Sequence, residues 1–462
     1  MSNEKSVQMG SNATHKILHL GLGSFHRAHQ ALYLQNLIEQ GDESWSIIGA
    51  NVRDDASALI SALQSQGGEY TLETITPEGE HSYQTITSIK EVLSWTPQLE
   101  NIIEAGSDDA TKIISFTVTE GGYYFDNNNL DTAHPDIESD LNNGTMLTIY
   151  GVIAGILKER KTPVTLLSCD NLRSNGERFH TGLVAFLEAK GDKELLEWIA
   201  KNTTSPSCMV DRITPRPTKD VCDRVLEATG RIDKCAVMAE DFIQWVIEDN
   251  FIAGRPAWEK VGASLVKDVE PYEEAKIRIL NTTHSAISWA GTVKGYTYIH
   301  DGVADKEIFE LVRAYVLEDV IPCLQPSPLD LEDYMNVALN RFSNKALMDT
   351  SQRVAADSFS KIPGFILPTF KTLVSRDESI SATAGIIAAF FIFCEQLDQN
   401  KVPYIYNDPA YDPVKLREMM TAADPMDALG RDAALWWDLA GDAKLISALK
   451  GAYERVSQWL KA

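Results

Sequence analysis

The segment KIRILNTTHSAISWAG carries an amine, an amide and an imidazole, Lys276, Asn281 and His284, on an apolar repeat that predicts an amphipathic helix. At about 100° per residue the three side chains fall within an arc of roughly 140°, so one helix face can present all three to a common cleft. Two other places set polar groups beside apolar runs: LLSCDNLRSNG, where a strand over 164–168 ends in Asp170 and Asn171, and MVDRITPRPT, with Asp211 and Arg212. Ligands of open parallel sheets gather at the carboxyl ends of strands, so Asn171 is placed to face one. The set suits oxidation of an alcohol. Removing the hydroxyl proton as hydride leaves requires a base, and lysine serves only where burial or nearby positive charge lowers its pKa. The developing alkoxide requires donors aimed at its oxygen, a task for the amides of Asn171 and Asn281, with His284 holding a neighbouring hydroxyl. A solvated helix face is the commoner meaning of such spacing, so the surrounding elements must decide.

Those elements point to a dinucleotide. In KILHLGLGSFHRAH a short strand, Ile17–Leu20, runs into Gly21-x-Gly23 and then a helix. Gly21 permits a tight turn, and Gly23 lets backbone N–H groups approach a pyrophosphate at the helix N-terminus. His26 occupies the position where a third glycine is usual. The next strand, over 46–50, leads into Asn51, Arg53, Asp54 and Asp55, which compete for the adenosine ribose. An acid there selects NAD and an arginine favours the 2′-phosphate of NADP; the expectation is NAD, with Asp54 or Asp55 near the ribose. Strands over 17–20, 46–50, 112–118 and 164–168, with a helix over 31–39 between the first two, predict βαβ units and a parallel sheet. From Tyr272 onward apolar residues recur at three- and four-residue spacing, which predicts a mainly helical second half. The boundary is placed near Val269–Tyr272, giving domains 1–270 and 271–462.

Composition narrows the function classes. The formal net charge of −24 over 462 residues excludes a nucleic-acid partner, which needs a basic stripe, and disfavours anionic membranes. The six cysteines form no CxxC pair, so neither a disulfide framework nor a zinc site is expected, and no metal. The polar N-terminus MSNEKSVQMGSNATHK has no apolar signal-peptide core, and SISATAGIIAAFFIFC reads as a buried core helix rather than a membrane span. A cytoplasmic, monomeric protein is expected. Tyr272 and Lys276 match the Tyr-x-x-x-Lys string of short-chain dehydrogenases, but they sit at the domain boundary, outside the nucleotide-binding part.

The chain resembles the polyol-specific long-chain dehydrogenase family, also called the mannitol dehydrogenase family. The resemblance is carried by GLGSFHRAHQ (21–30), FTVTEGGYY (116–124), SCDNLRSNG (168–176), MVDRITP (209–215), FIQWVIEDNF (242–251) and KIRILNTTHS (276–285). It implies an N-terminal Rossmann-type domain, a mostly α-helical C-terminal domain and a metal-free active site in the cleft between them. It further implies Lys276 as general base, Asn171 and Asn281 as oxyanion donors, His284 as substrate-binding imidazole, and Asp211, Arg353 and Lys361 on substrate hydroxyls. Glu120 and Glu273 are the expected proton-relay acids. Ser24, Phe25, Val118 and Thr119 join Gly21, Gly23, Arg53, Asp54 and Asp55 in the expected cofactor-binding set. Several stretches, among them ITPEGEHSYQTITSI and VAADSFSKIP, are most similar to the D-arabinitol-oxidising branch. The expected reaction is therefore NAD-dependent oxidation of D-arabinitol to D-xylulose, with D-mannitol and then a hexuronate as alternatives. A catalytically silent nucleotide sensor is the rival of a different class, disfavoured by the presence of Lys276 and both asparagines.

Overall fold

A computed structural model describes residues 13–126 and 129–462; residues 1–12 of the N-terminal stretch read above lie outside it. Six parallel strands form the central sheet: β1 (His15–Leu20), β2 (Trp45–Ala50), β3 (Ile89–Val92), β4 (Thr111–Phe116), β5 (Val164–Ser168) and β6 (Thr203–Thr204). Their order across the sheet is β3-β2-β1-β4-β5-β6. This is the doubly wound order of dinucleotide-binding domains, and it reverses direction between β1 and β4, where such domains hold their ligand. The sequence explains why both faces are covered. Ile17, Ile47 and Ile113 enter one core with Leu32, Leu34 and Leu37 of the helix over Gln30–Glu39. The alternate residues Leu18, Ile48 and Ile114 enter the opposite core with Ile153, Phe179 and Leu183. Period-two alternation with apolar residues on both sides is what a sheet buried between two helical layers requires.

Strand β4 ends at Phe116, short of the expected Val118. The reason is local capture: the Asp170 carboxylate accepts from the Val118 and Thr119 N–H groups at 3.2 and 2.8 Å and pulls them out of the strand path. Two small sheets, Tyr70–Ile75 with His81–Ile86 and Val237–Glu240, and Cys208–Asp211 with Gln244–Glu248 and Ser264–Val266, were not expected from the sequence. Each includes a partner strand distant along the chain, such as Leu72 opposite Val237.

By contact density the chain divides into two compact units, residues to Ile75 with Glu80–Glu270, and Thr76–Gly79 with Pro271–Ala462. The second unit is helical around a core that includes Trp289, Phe370, Phe390 and Trp436. Its helix Ser381–Asp398 is apolar enough by composition to cross a membrane, yet 72% of that window is buried inside the fold. It is a core helix.

Asn175, fully buried at the start of the helix Asn175–Lys190, joins the end of β5 to the strand that ends in Asp211. Its amide donates to the Asp170 and Cys208 carbonyls at 2.8 and 2.9 Å and accepts the Cys208 N–H at 2.9 Å. Asn175→Ala strands these buried groups without partners, and is expected to lower unfolding free energy by about 2–3 kcal/mol, measured by urea denaturation.

Candidate active site

At the carboxyl end of β1 the chain turns through Gly21 at φ 107°, a conformation L side chains rarely adopt, and a Cβ there would collide with the Thr117 carbonyl. The turn is held on three sides. The Gly21 N–H donates to Ala50 O at 2.9 Å, and its carbonyl accepts from Thr117 Oγ1 at 2.8 Å and lies 3.0 Å from His19 Nε2. Gly23 is exposed, and a Cβ added there would meet only Gly21 O, at 3.8 Å. The helix Ser24–Ala28 follows at once, and its first-turn N–H groups, including those of Ser24 and Phe25, have no intrahelical acceptor. Open space over Gly23 beside those donors fits a pyrophosphate. In place of a third glycine, the His26 ring stacks on His19 at 3.4 Å between centroids and its Nδ1 lies 2.8 Å from Gln30 Oε1. Burial lowers the His26 pKa to about 3, so the ring is neutral and packs as an apolar plate.

The four ribose candidates separate. Asn51 Oδ1 accepts the Leu22 N–H at 2.7 Å and is a brace of the glycine turn. Arg53 Nη2 donates to Asp136 Oδ2 at 2.6 Å and to the Tyr124 hydroxyl at 2.5 Å, and that hydroxyl donates to Asp136 at 2.9 Å. Its positive charge is therefore answered within the protein. Asp54 and Asp55 are exposed.

Asp170 is the buried hinge of the next group. Besides the Val118 and Thr119 N–H groups it accepts from the Tyr123 hydroxyl at 3.0 Å. Burial pushes its pKa up, and these donors oppose the rise. Asn171 follows it directly and is exposed, as is Glu120 beyond Thr119. Asp211 is buried at the end of its strand. Its neighbour Arg212 is a strut, donating to Glu240 O at 2.9 and 2.7 Å and to Ala28 O at 2.6 Å. Glu120, Asn171 and Asp211 belong to the first unit.

Lys276, Asn281, His284, Arg353 and Lys361 belong to the second unit, with Glu273 three residues before the lysine. Here the structure corrects the expected helix geometry. Residues Lys276–Asn281 form a π-helix that passes into the α-helix Thr282–Val293, so the 100° step does not hold between the lysine and Asn281. A π turn bonds i to i+5 and is common at functional sites. Threonines stabilise the transition: Thr282 Oγ1 donates to Ile277 O, five residues back, at 3.0 Å, and Thr283 Oγ1 to Ile279 O at 2.6 Å. Lys276 and Glu273 are both buried. His284 Nε2 lies 3.0 Å from Asp349 Oδ2, and its ring stacks on Phe342 at 4.3 Å. Arg353 grips the same carboxylate through Nε and Nη2 at 2.7 and 2.8 Å. Lys361 Nζ donates to the Val354 and Ala356 carbonyls at 2.6 Å each. Burial first, then Arg353, lowers the Lys361 pKa to about 8, with Asp357 and Asp408 opposing.

The structure thus joins His284 and Arg353 through Asp349, which the sequence reading did not single out; nor did it give a part to Asn175 or to the Asp170 side chain. The only signal for Asp349 was its i,i+4 spacing to Arg353, ordinary for a helix surface pair. Among the described residues no group of three or more His, Cys, Asp and Glu side chains is arranged to hold a metal ion.

Residues 15–260 match the family model described as the mannitol dehydrogenase Rossmann domain, and residues 268–457 match the mannitol dehydrogenase C-terminal domain. The chain is 53% identical to a D-arabinitol 4-dehydrogenase of Ralstonia nicotianae, covering 96% of this chain and 97% of that one. It is 49% identical to a D-arabinitol 4-dehydrogenase of Klebsiella pneumoniae, over 94% and 96%. Among solved structures, the ternary complex of Pseudomonas fluorescens mannitol 2-dehydrogenase with NAD and D-mannitol is similar at a TM-score of 0.83 and 33% identity, over 97% of this chain and 94% of that one.

The pairing of Arg53 generates a test. Asp136→Asn releases the guanidinium from its carboxylate while keeping the helix start. Binding of a 2′-phosphorylated dinucleotide, relative to its unphosphorylated counterpart, is expected to improve by about two- to fivefold, the scale of one exposed ion pair. Fluorescence titration with NADPH and NADH measures it.

Proposed function

The chain belongs to the mannitol dehydrogenase family, and we propose that within it the chain oxidises a polyol secondary alcohol with NAD, converting D-arabinitol to D-xylulose. The observation that carries the substrate is the gap in similarity: two D-arabinitol dehydrogenases stand far nearer to this chain than the mannitol dehydrogenase of known structure does. D-Mannitol is the second reading, supported by that structure's bound substrate. In this reading residues 1–270 bind the dinucleotide and 271–462 supply the base, with the enzyme acting as a cytoplasmic monomer. Six unpaired cysteines support a reducing compartment.

Each role follows from chemistry at a stated atom. Bound NAD supplies the hydride acceptor, and Gly21, Gly23, Ser24, Phe25, Val118 and Thr119 would hold it, with Asp54 or Asp55 on the ribose. Lys276 Nζ takes the proton of the reacting hydroxyl, the work of a positioned base, and its burial in the second unit supports that role. The amides of Asn171 and Asn281 donate to the oxygen as negative charge develops there. His284, Asp211, Arg353 and Lys361 hold the remaining hydroxyls. Glu273 and Glu120 pass the lysine's proton onward. Donors fixed in place before reaction do not need to reorganise, so they favour the alkoxide over the bound alcohol.

The deciding experiment follows NADH absorbance at alkaline pH after chelator treatment, across D-arabinitol, D-mannitol, D-sorbitol, xylitol and L-arabinitol, with NADP in parallel. Highest kcat/KM for D-arabinitol with NAD, undiminished by the chelator, is the expected result. Preference for D-mannitol changes the substrate and keeps the mechanism, whereas activity only in keto-uronate reduction overturns the polyol reading. Silence in both directions favours a nucleotide sensor.

Lys276→Ala is expected to lower kcat by about 10²–10⁴-fold, the range for a positioned base, with NADH affinity by fluorescence titration nearly unchanged. A comparable loss of NADH affinity would remove the lysine from the role of base. Lys361 generates a pH prediction. Its ammonium is lost as pH rises through about 8, so KM for the polyol should climb above that pH. Lys361→Arg keeps its charge throughout, so its KM is expected to stay flat over the same range.

A further inference from the structure

We propose that Asp349 is a positioning residue for the polyol site: clamped by Arg353, it accepts the Nε2–H of His284 and fixes the imidazole tautomer whose Nδ1 accepts a hydrogen bond from a substrate hydroxyl. The proposal rests on the function inferred above and adds what it lacks, the direction of the hydrogen bond at His284.

The carboxylate is fully used within the second unit. Oδ1 accepts Arg353 Nε; Oδ2 accepts Arg353 Nη2 and faces His284 Nε2. Side-on engagement of a guanidinium by both carboxylate oxygens sets the plane of the acid as well as its charge. The Asp349 side chain is 10% exposed and that of His284 12%, so water competes weakly for these bonds. The backbone around the acid is fixed too. Asp349 O accepts the Ile299 N–H at 2.9 Å, Tyr298 and Thr350 form an antiparallel bridge, and the Ser351 N–H donates to Thr297 O at 2.9 Å. Phe342, stacked on the imidazole, restricts the plane of the ring.

Charge then decides the tautomer. The charged groups acting on the imidazole are Asp349, Arg353 and Lys361. Burial, with Arg353 and Lys361, lowers the His284 pKa against the pull of Asp349, which leaves a neutral ring. Burial pushes the Asp349 carboxyl up, but His284 and Arg353 outweigh it and hold it well below the usual carboxylate range. An ionised carboxylate has only acceptors to offer, so the single proton of the neutral ring sits on Nε2. Nδ1 is left as an acceptor. It cannot donate to an alkoxide, which leaves that work to the side-chain amides. Arg353, with two nitrogens on Asp349, acts on the substrate site through Asp349 and His284 rather than only by its own charge.

The test uses the full chain. Selective ¹⁵N-histidine labelling, with the His284 resonance assigned by its loss in His284→Ala, reports the tautomer directly. Wild type is expected to show Nε2–H, and Nδ1–H would overturn the proposal whatever the substrate proves to be. In kinetics, Asp349→Ala is expected to lower kcat/KM for D-arabinitol by about tenfold or more, the scale of losing a charge-assisted hydrogen bond, with NADH affinity changed less than about twofold. In a His284→Ala background the same change is expected to cost less than about twofold, because the two residues act as one unit. Additive losses in the double variant would overturn the proposal. Asp349→Asn, which keeps an amide oxygen for Nε2–H but loses the charge, is expected to fall between wild type and Asp349→Ala; it serves if the alanine variant does not fold. If wild type oxidises no polyol, the functional reading fails, and the ¹⁵N spectrum still decides the tautomer.

Discussion

The buried carboxylate of Asp170 ties the carboxyl ends of two adjacent parallel strands to each other. It holds the two N–H groups that follow β4, sits itself at the end of β5, and takes the Tyr123 hydroxyl as a third donor. An acid with so little solvent is costly unless its oxygens are occupied. That cost makes the local geometry close to all-or-none. The loop carrying Thr119 and Glu120, the exposed amide of Asn171, and the glycine turn beside Thr117 are placed by one set of bonds. Asn175 extends the same set to the strand ending in Asp211. A ligand meeting this end of the sheet therefore meets groups that are already oriented, which is the condition for stabilising a transition state rather than a ground state.

The second unit solves a different problem, that of keeping a buried lysine and a neutral imidazole on one continuous helix. A π turn widens the helix between Lys276 and Asn281, and threonine hydroxyls occupy carbonyls at the transition. Farther along, the imidazole is held by an acid that is itself held by an arginine. Asp349 and Arg353 answer each other's charge before substrate arrives. Lys361, tied to two backbone carbonyls, keeps its third proton for another acceptor.

Electrostatics also shapes cofactor choice. Arg53 carries the charge that attracts a 2′-phosphate in other dinucleotide domains, but here Asp136 and Tyr124 engage it. The residue type alone points one way and its partner points the other. The same holds at MVDRITP, where Arg212 spends its donors on backbone carbonyls and serves as a strut.

The sequence by itself determined the class of fold, because alternation along strands and three- and four-residue spacing along helices are local consequences of backbone geometry. It also determined the glycine turn, since only glycine tolerates the Gly21 conformation beside the Thr117 carbonyl, and it singled out Lys276, Asn171, Asn281 and His284 by type and setting. The tertiary structure alone decided which polar residues support those groups. Asp170, Asn175 and Asp349 are common residue types without a periodic signature, and their meaning lies in partners brought near by folding: Cys208 for Asn175, His284 for Asp349. It likewise decided that Arg53 is neutralised and that the lysine helix is locally a π-helix. A hydrogen bond between residues distant in sequence leaves no spacing to read, so the positioning of the site became visible only once the chain was folded.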